Sequence, residues 1–200
     1  MKKSEIILAS GSQTRLKILH NTGVSVRAAA SNIDEGRIKK QFKKARKKLE
    51  QTALALALAK AKKIAARHKD ALVIGADQML ECGNTWLDKA RNKNEALHQL
   101  EFLSGKTHRL VTATVLMRGE KMLWQDVAVV KLTMRKLSKK FIAAYVKKLG
   151  PAVLQGVGCY QIEGLGVQLF TRIEGDYFVI LGLNLLPLLA ALRAAAGARD

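Results

Sequence analysis

The sequence has little cysteine, few acids and no long apolar run, and each shortage excludes something. Cys82 and Cys159 are the only two cysteines in 200 residues. They are too few for a disulfide framework, and neither has neighbours at zinc-ligand spacing, so two reduced thiols are expected. No apolar run approaches the roughly 20 residues that span a bilayer, so no membrane partner is expected. The apolar part of the opening "MKKSEIILASGSQ" is far too short for a secretory signal, and a cytoplasmic location is expected. Repeats, low-complexity tracts and obvious linkers are missing as well. Acids are the last shortage: 16 stand against 35 lysines and arginines, a net charge of +19.

What remains is enough for a sizeable core. Nearly half the residues are hydrophobic (48%), and the length fits one domain or two lobes sharing a cleft. The positive charge is concentrated: thirteen basic residues and one acid, Glu50, lie between Gly36 and Lys69. Such an excess can steer polyanions such as nucleic acid or nucleotides. Yet Ile38, Phe42, Ala45, Leu49, Ala53 and Leu56 recur at helical intervals and leave the lysines outside. A solvated helix face is therefore preferred over a dedicated nucleic-acid surface, and nucleic acid is not expected as a partner.

Strand-like and helix-like segments alternate along the chain. "EIILAS" reads as a buried strand, and "SQTRLKILHNTG" as a capped helix stopped by Gly23. "VSVRAAA" suggests a second strand, and the basic stretch after Asp34-Glu35 a long helix broken near Glu50. "ALVIGADQML" has the continuous apolar run of a central strand, with Asp77 at its C-terminal end. "KNEALHQLEFLSG" and "SKKFIAAYVKKLG" read as helices, with two alternating strands between them about a turn near Gly119. "LFTRIEGDYFVILGL" suggests a hairpin turning at Gly175-Asp176. A last helix covers about Leu185 to Ala195, and "GARD" is expected to fray. This interleaving predicts an α/β protein.

Three places carry polar chemistry. In "ILASGSQTR" small residues stand where a strand hands over to a helix, which lets a phosphate approach backbone N–H groups and the helix dipole. Ser10 and Ser12 add hydroxyls and Arg15 a bidentate cation, although a serine N-cap alone accounts for the same pattern. Asp77 is expensive to bury without a partner or a task. With Glu35 it supplies the oxygen ligands a divalent cation takes, or it orients a water; a strand-end cap is the plain alternative. In "GCYQIEGLG" three glycines surround Glu163, whose two oxygens match the N–H donors of a guanine-like edge. Taken alone, the stretch is read as a bulged strand with an exposed glutamate in preference to a base-binding turn. Lys89 in "LDKA" and Lys106 in "LSGKTH" are placed to meet a polyphosphate or to be ordinary surface. His108 has no Cys or Ser arranged as a nucleophile.

In this order, "LASGSQTRLKIL", "DE", "LALAKAKKIA", "VIGADQML", "LDKA", "LSGKTHRLVTA", "GCYQIEGLG" and "IEGDYFVILGLNL" resemble the Maf family of nucleoside triphosphate pyrophosphatases over nearly the whole chain. The resemblance implies a single Maf-like domain over residues 1–200. Its fold would be a Maf/inosine-triphosphatase-like mixed sheet with flanking helices, two lobes around a central cleft and a homodimer as the usual assembly. It implies hydrolysis of a nucleoside triphosphate to the monophosphate and pyrophosphate with Mg²⁺ or Mn²⁺, a house-cleaning role in nucleotide metabolism. By resemblance Asp77 is the proton acceptor and, with Glu35, a metal ligand. Ser10, Ser12, Arg15, Lys60, Lys89 and Lys106 face the phosphates.

The chain departs from the family where Ser-Pro-Arg-Arg is usual and Ser12-Gln13-Thr14-Arg15 stands instead. Ala90 and Asn184 replace common prolines. Thr14, Gln78 and Glu163 fall on the positions that sort substrates, and they resemble the 7-methyl-GTP branch more than the dTTP and UTP branch. A 7-methyl-GTP-like substrate is expected. A dTTP/UTP pyrophosphatase and a basic nucleic-acid-binding module without turnover are the alternatives.

Overall fold

The computed structural model describes residues 5–197, so all of "GARD" beyond Gly197 lies outside the described residues. The elements in chain order are β1 (Ile6–Leu8), α1 (Gln13–Asn21), β2 (Arg27–Ala28), α2 (Glu35–Lys44) and α3 (Leu49–Ala65). There follow β3 (Leu72–Cys82), β4 (Thr85–Leu87), α4 (Lys93–Leu103), β5 (Thr107–Arg118), β6 (Lys121–Met134) and α5 (Lys139–Leu149). Short 3₁₀ turns lead to β7 (Phe170–Glu174), α6 (Tyr177–Ile180) and α7 (Leu185–Ala196). The strands form one sheet in the order β2-β1-β3-β5-β6-β7, with β4 added to β3. β1 runs parallel to β2 and β3, whereas β3–β4 and β6–β7 are antiparallel. The expected α/β class with a mixed sheet and flanking helices is observed.

The chain divides into two compact units, and β3, β5 and β6 contribute residues to both. The first holds residues 1–77, 112–128 and 181–200. Its core is built from Ile7 and Leu8 of β1, Leu72 and Ile74 of β3, Leu56 of α3 and Leu188 of α7, all buried. α3 lies very close to β3. A Cβ placed on Gly75 would stand 2.2 Å from the Ala57 carbonyl oxygen and 2.7 Å from Ala61 Cβ, so only glycine admits this approach. The basic stretch is two helices, as expected, with the break at Ala45–Lys48. Ile38 and Phe42 are half-buried and Leu49, Ala53 and Leu56 buried, while Ala45 is exposed because the chain leaves the helix there.

The second unit holds residues 78–111 and 129–180. Asn92 caps α4 by accepting from the Glu95 N–H (2.9 Å), and Ser138 caps α5 by accepting from the Phe141 N–H (3.1 Å). Cys82 and Cys159 are both free and buried. Burial pushes the Cys159 thiol up to about 11, leaving it uncharged and unreactive.

Three local expectations are corrected. Asp77 is not the end of its strand, because β3 continues to Cys82 and turns back into the short β4, which the sequence pattern concealed. Residues 170–180 are not a hairpin: β7 is followed by α6, whose start is fixed by Asp176 Oδ1 accepting from the Val179 N–H (3.1 Å). The glycine-rich segment is not a bulged strand but a pair of 3₁₀ turns, Val157–Cys159 and Leu165–Leu169, with Gly158 at φ +79°.

Candidate active site

The site in the first unit grows out of the turn after β1. Ser12 caps α1 by accepting from the Arg15 N–H at 3.4 Å. Ser10 Oγ accepts from the Ser12 N–H (3.2 Å) and from Arg15 Nη1 (3.2 Å). Both hydroxyls thus act as acceptors here and retain a proton to donate elsewhere. Between them, a Cβ on Gly11 would meet nothing within 4 Å, so packing does not demand glycine at that point.

Arg15 is buried, and three of its contacts are to the protein itself. Nε donates to the Gly182 carbonyl (2.8 Å), and Nη1 to Ser10 Oγ and to the Ala76 carbonyl (3.0 Å). The Nη2 amine makes no hydrogen bond among the described residues. Burial works against the guanidinium charge, and the negative charges of Asp77 and Glu35 offset it. The chain crowds this group: a Cβ on Gly182 (φ +95°) would lie 2.9 Å from Arg15 Nε. No local pattern in "LGLNL" marks that glycine or its carbonyl.

Deeper in the unit, two carboxylates share one ammonium. Lys60 Nζ lies 2.6 Å from Asp77 Oδ1 and 2.7 Å from Glu35 Oε1. α3 carries Lys60, and its close approach over Gly75 brings the side chain down onto β3. Glu35 opens α2, next to Asp34, which caps that helix through the Arg37 N–H (2.9 Å). Burial raises the Asp77 carboxyl above its ordinary range; Lys60 and then Arg15 oppose the rise, and Glu35 adds to it. Asp77 Oδ2 is fully buried and has no hydrogen-bond partner. A buried carboxylate oxygen left unpartnered is costly unless a water, a ligand or a cation meets it.

These donors fit a divalent cation of the Mg²⁺ kind. Such an ion takes one or two carboxylates and completes its shell with water and phosphate oxygens, so a larger protein cage is not required. No group of three or more His, Cys, Asp or Glu suited to a metal occurs among the described residues. Asp77 Oδ2 and the Glu35 carboxylate are the groups that would hold it, with Lys60 already between them.

Six of the expected residues, Ser10, Ser12, Arg15, Glu35, Lys60 and Asp77, therefore belong to one unit and are linked by the contacts above. Thr14 is in the same unit, half-buried in the first turn of α1. The second unit holds the other four. Gln78 Nε2 donates to the carbonyls of Val179 (2.8 Å) and Ile180 (3.1 Å). Lys89 is exposed in the loop before α4, and Lys106 is exposed with its Nζ 3.9 Å above the Phe102 ring. Glu163 is exposed in the glycine-rich segment. That segment is anchored from behind by Tyr160, whose hydroxyl lies 2.8 Å from His108 Nε2 and whose ring meets Phe170 edge-on at 4.9 Å. His108 therefore serves as a partner of Tyr160 and not of a nucleophile, a pairing across 52 residues that no local pattern signals.

Comparison with known proteins places the chain. The family model described as Maf-like protein matches residues 5–195. The chain belongs to the Maf family. Among similar proteins, the 7-methyl-GTP pyrophosphatase of Rhizobium meliloti is 45% identical over 191 residues, covering 96% of each chain. The 7-methyl-GTP pyrophosphatase of Rhizobium etli is 44% identical over 189 residues, 94% of this chain and 95% of the other. The nucleoside triphosphate pyrophosphatase of Paramagnetospirillum magneticum is 44% identical over 187 residues, 94% of this chain and 96% of its own. Membership extends over the Maf-like turn at Ser10–Arg15, the Glu35–Lys60–Asp77 cluster and the Glu163 segment alike.

Proposed function

We propose that the protein is a nucleoside triphosphate pyrophosphatase acting on a 7-methyl-GTP-like nucleotide, giving the monophosphate and pyrophosphate. The observation that carries the reading is Asp77: one oxygen is held by Lys60, and the other is buried and unpartnered. In the reaction, water adds to the α-phosphorus, the bridging P–O bond to the β-phosphate breaks, and its electron pair leaves with pyrophosphate. Asp77 Oδ2 takes the proton of the attacking water, in which case a cation would rest on the Glu35 carboxylate and the phosphates and not on that same oxygen. Its carboxyl, raised by burial, is a better base near neutrality than an ordinary aspartate. Lys60 fixes the orientation of that carboxylate and has a third N–H for a phosphate oxygen.

Ser10, Ser12 and the N–H groups opening α1 receive the polyphosphate, with Arg15 bracing the turn behind them. Lys89 and Lys106 are assigned further phosphate contacts. Glu163 accepts from the N1–H and N2–H₂ edge of a purine, and Thr14 and Gln78 are assigned to discrimination among bases. A bound Mg²⁺ or Mn²⁺ would neutralise phosphate charge as the bond breaks. The names of the Rhizobium relatives agree with the 7-methyl-GTP assignment.

The test is pyrophosphate release from 7-methyl-GTP, dTTP and UTP with Mg²⁺ or Mn²⁺, alongside Asp77→Asn. Preference for 7-methyl-GTP and a loss of about 10²–10⁴ in Asp77→Asn are expected. Preference for the pyrimidines, unchanged in Glu163→Gln, overturns the substrate assignment. Absence of metal-dependent turnover with all three overturns the activity.

A further inference from the structure

Eight lysines and arginines fall within residues 37–48, and no acid interrupts them from Gly36 to Leu49. A solvated helix face ordinarily intersperses both signs of charge, and this one does not. Seven of the eight side chains are exposed, only Lys39 being half-buried. Arg37, Lys40, Lys44, Arg46, Lys47 and Lys48 make no ion pair among the described residues. Of the acids that precede the stretch, Asp34 caps α2, and Glu35 is shared between Lys60 (2.7 Å) and Lys39 (4.0 Å). Six of the eight charges therefore stand without an ion pair among the described residues, in a chain of net charge +19.

The absence of apolar groups on the same face narrows the partner. Ile38 and Phe42 are the apolar side chains of α2, and both are half-buried, α2 being packed on α3. None of the large hydrophobic side chains exposed on the described protein lies between residues 35 and 48. A membrane-surface helix needs such groups to enter the acyl boundary, and a protein interface needs them for its dry centre. A single-stranded nucleic acid is gripped mainly by exposed aromatic platforms, which are missing here. Duplex phosphates need only cations, and they present about one charge per 1.7 Å of helix axis.

We infer that residues 37–48 form a docking face for double-stranded nucleic acid, held through its phosphates and indifferent to sequence. This is a second binding activity of the chain, beyond nucleotide hydrolysis, and does not depend on the substrate assigned above. If the six cations without ion pairs each meet a phosphate, log K falls against log salt with a slope of about −5.

Binding of a labelled 20-base-pair mixed-sequence DNA duplex, followed by fluorescence anisotropy between 50 and 200 mM KCl, tests it. The wild type should weaken about a thousandfold across that range. A variant carrying Lys40→Gln, Lys44→Gln, Lys47→Gln and Lys48→Gln should lose about 4 from the slope and keep its pyrophosphate release. A control with Lys139→Gln, Lys140→Gln, Lys147→Gln and Lys148→Gln on α5 loses the same net charge and should bind like the wild type. Equal slopes in the two quadruple variants would reduce the effect to net charge and overturn the inference. So would the absence of saturable duplex binding at 50 mM KCl, or capture by phosphatidylserine vesicles in preference to the duplex.

Discussion

Replacing Lys60 with methionine should separate what the buried ion cluster does for folding from what it does for chemistry. Lys60 holds Asp77 at 2.6 Å and Glu35 at 2.7 Å. Removing one partner of a buried pair costs about 3–5 kcal/mol, because the other charge is stranded. The lower end applies here, since Arg15 still acts on Asp77 and the half-exposed Glu35 regains water. A loss of about 3 kcal/mol corresponds to a fall in Tm of roughly 6–12 °C for a chain of this size. The pH dependence follows from the Asp77 carboxyl, which burial already raises above its ordinary 3.8. A carboxyl whose folded value exceeds its unfolded one binds more protons in the native state, so stability falls as pH rises through that interval. Without Lys60, its largest opponent, the rise is greater. The deficit of Lys60→Met should therefore be small near pH 4 and reach its full size only where Asp77 is ionised. Asp77→Asn does the opposite: it removes the charge that burial penalises and leaves Lys60 paired with Glu35. It should stay within about 1 kcal/mol of the wild type at pH 8 while losing activity. Urea unfolding of both variants at pH 5 and pH 8 gives the comparison. A Lys60→Met deficit equal at both pH values, or an Asp77→Asn loss as large as that of Lys60→Met, refutes the account.

Gly75→Ala forces a methyl to within 2.2 Å of the Ala57 carbonyl oxygen and should cost about 3 kcal/mol by thermal unfolding. Because α3 carries Lys60, pyrophosphate release should fall with it; a stable, fully active Gly75→Ala would contradict the packing argument. His108 is held neutral, burial pushing its imidazole down to about 4 from an ordinary 6.5. Its folded value lies below its unfolded one, so wild-type stability should fall as pH drops from about 6.5 to about 4, by about 3 kcal/mol. Parallel unfolding curves for wild type and His108→Gln over that range would count against it. Glu163→Gln should reduce the ratio of kcat/KM for 7-methyl-GTP to that for UTP about tenfold or more, read from steady-state pyrophosphate release. An unchanged ratio removes Glu163 from base recognition.

Much of the fold is legible because its signals are local. The β1–turn–α1 junction can be read from a change of period and a serine cap, and Gly119 marks the turn between β5 and β6. The hairpin expected at Gly175-Asp176 fails for a physical reason: a short apolar run such as "YFVIL" has no periodicity that separates strand from helix. There the Asp176 cap decides for helix. The site is harder to read. In "LALAKAKKIA" the buried Lys60 looks no different from the exposed Lys62 and Lys63. Its burial depends on Gly75, fifteen residues away, letting α3 sit against the sheet. Resemblance to relatives marks Lys60; the local pattern does not.

Arg15 sharpens the same point. The sequence offers it as a free bidentate cation for phosphate, the lone Arg where relatives usually have two. Three of its hydrogen bonds instead tie the serine turn to the carbonyls of Ala76, beside Asp77, and of Gly182, 167 residues along the chain. A buried guanidinium that spends most of its donors on the protein holds a shape before it neutralises a charge. With Thr14 in place of the other arginine, the start of α1 would offer a triphosphate less fixed positive charge. In the proposed reaction the balance would fall on the third N–H of Lys60 and on a divalent cation held at Glu35. The departure at Thr14 and the unpartnered oxygen of Asp77 are on this reading two sides of one arrangement, in which charge removed from the helix start is supplied at the carboxylates.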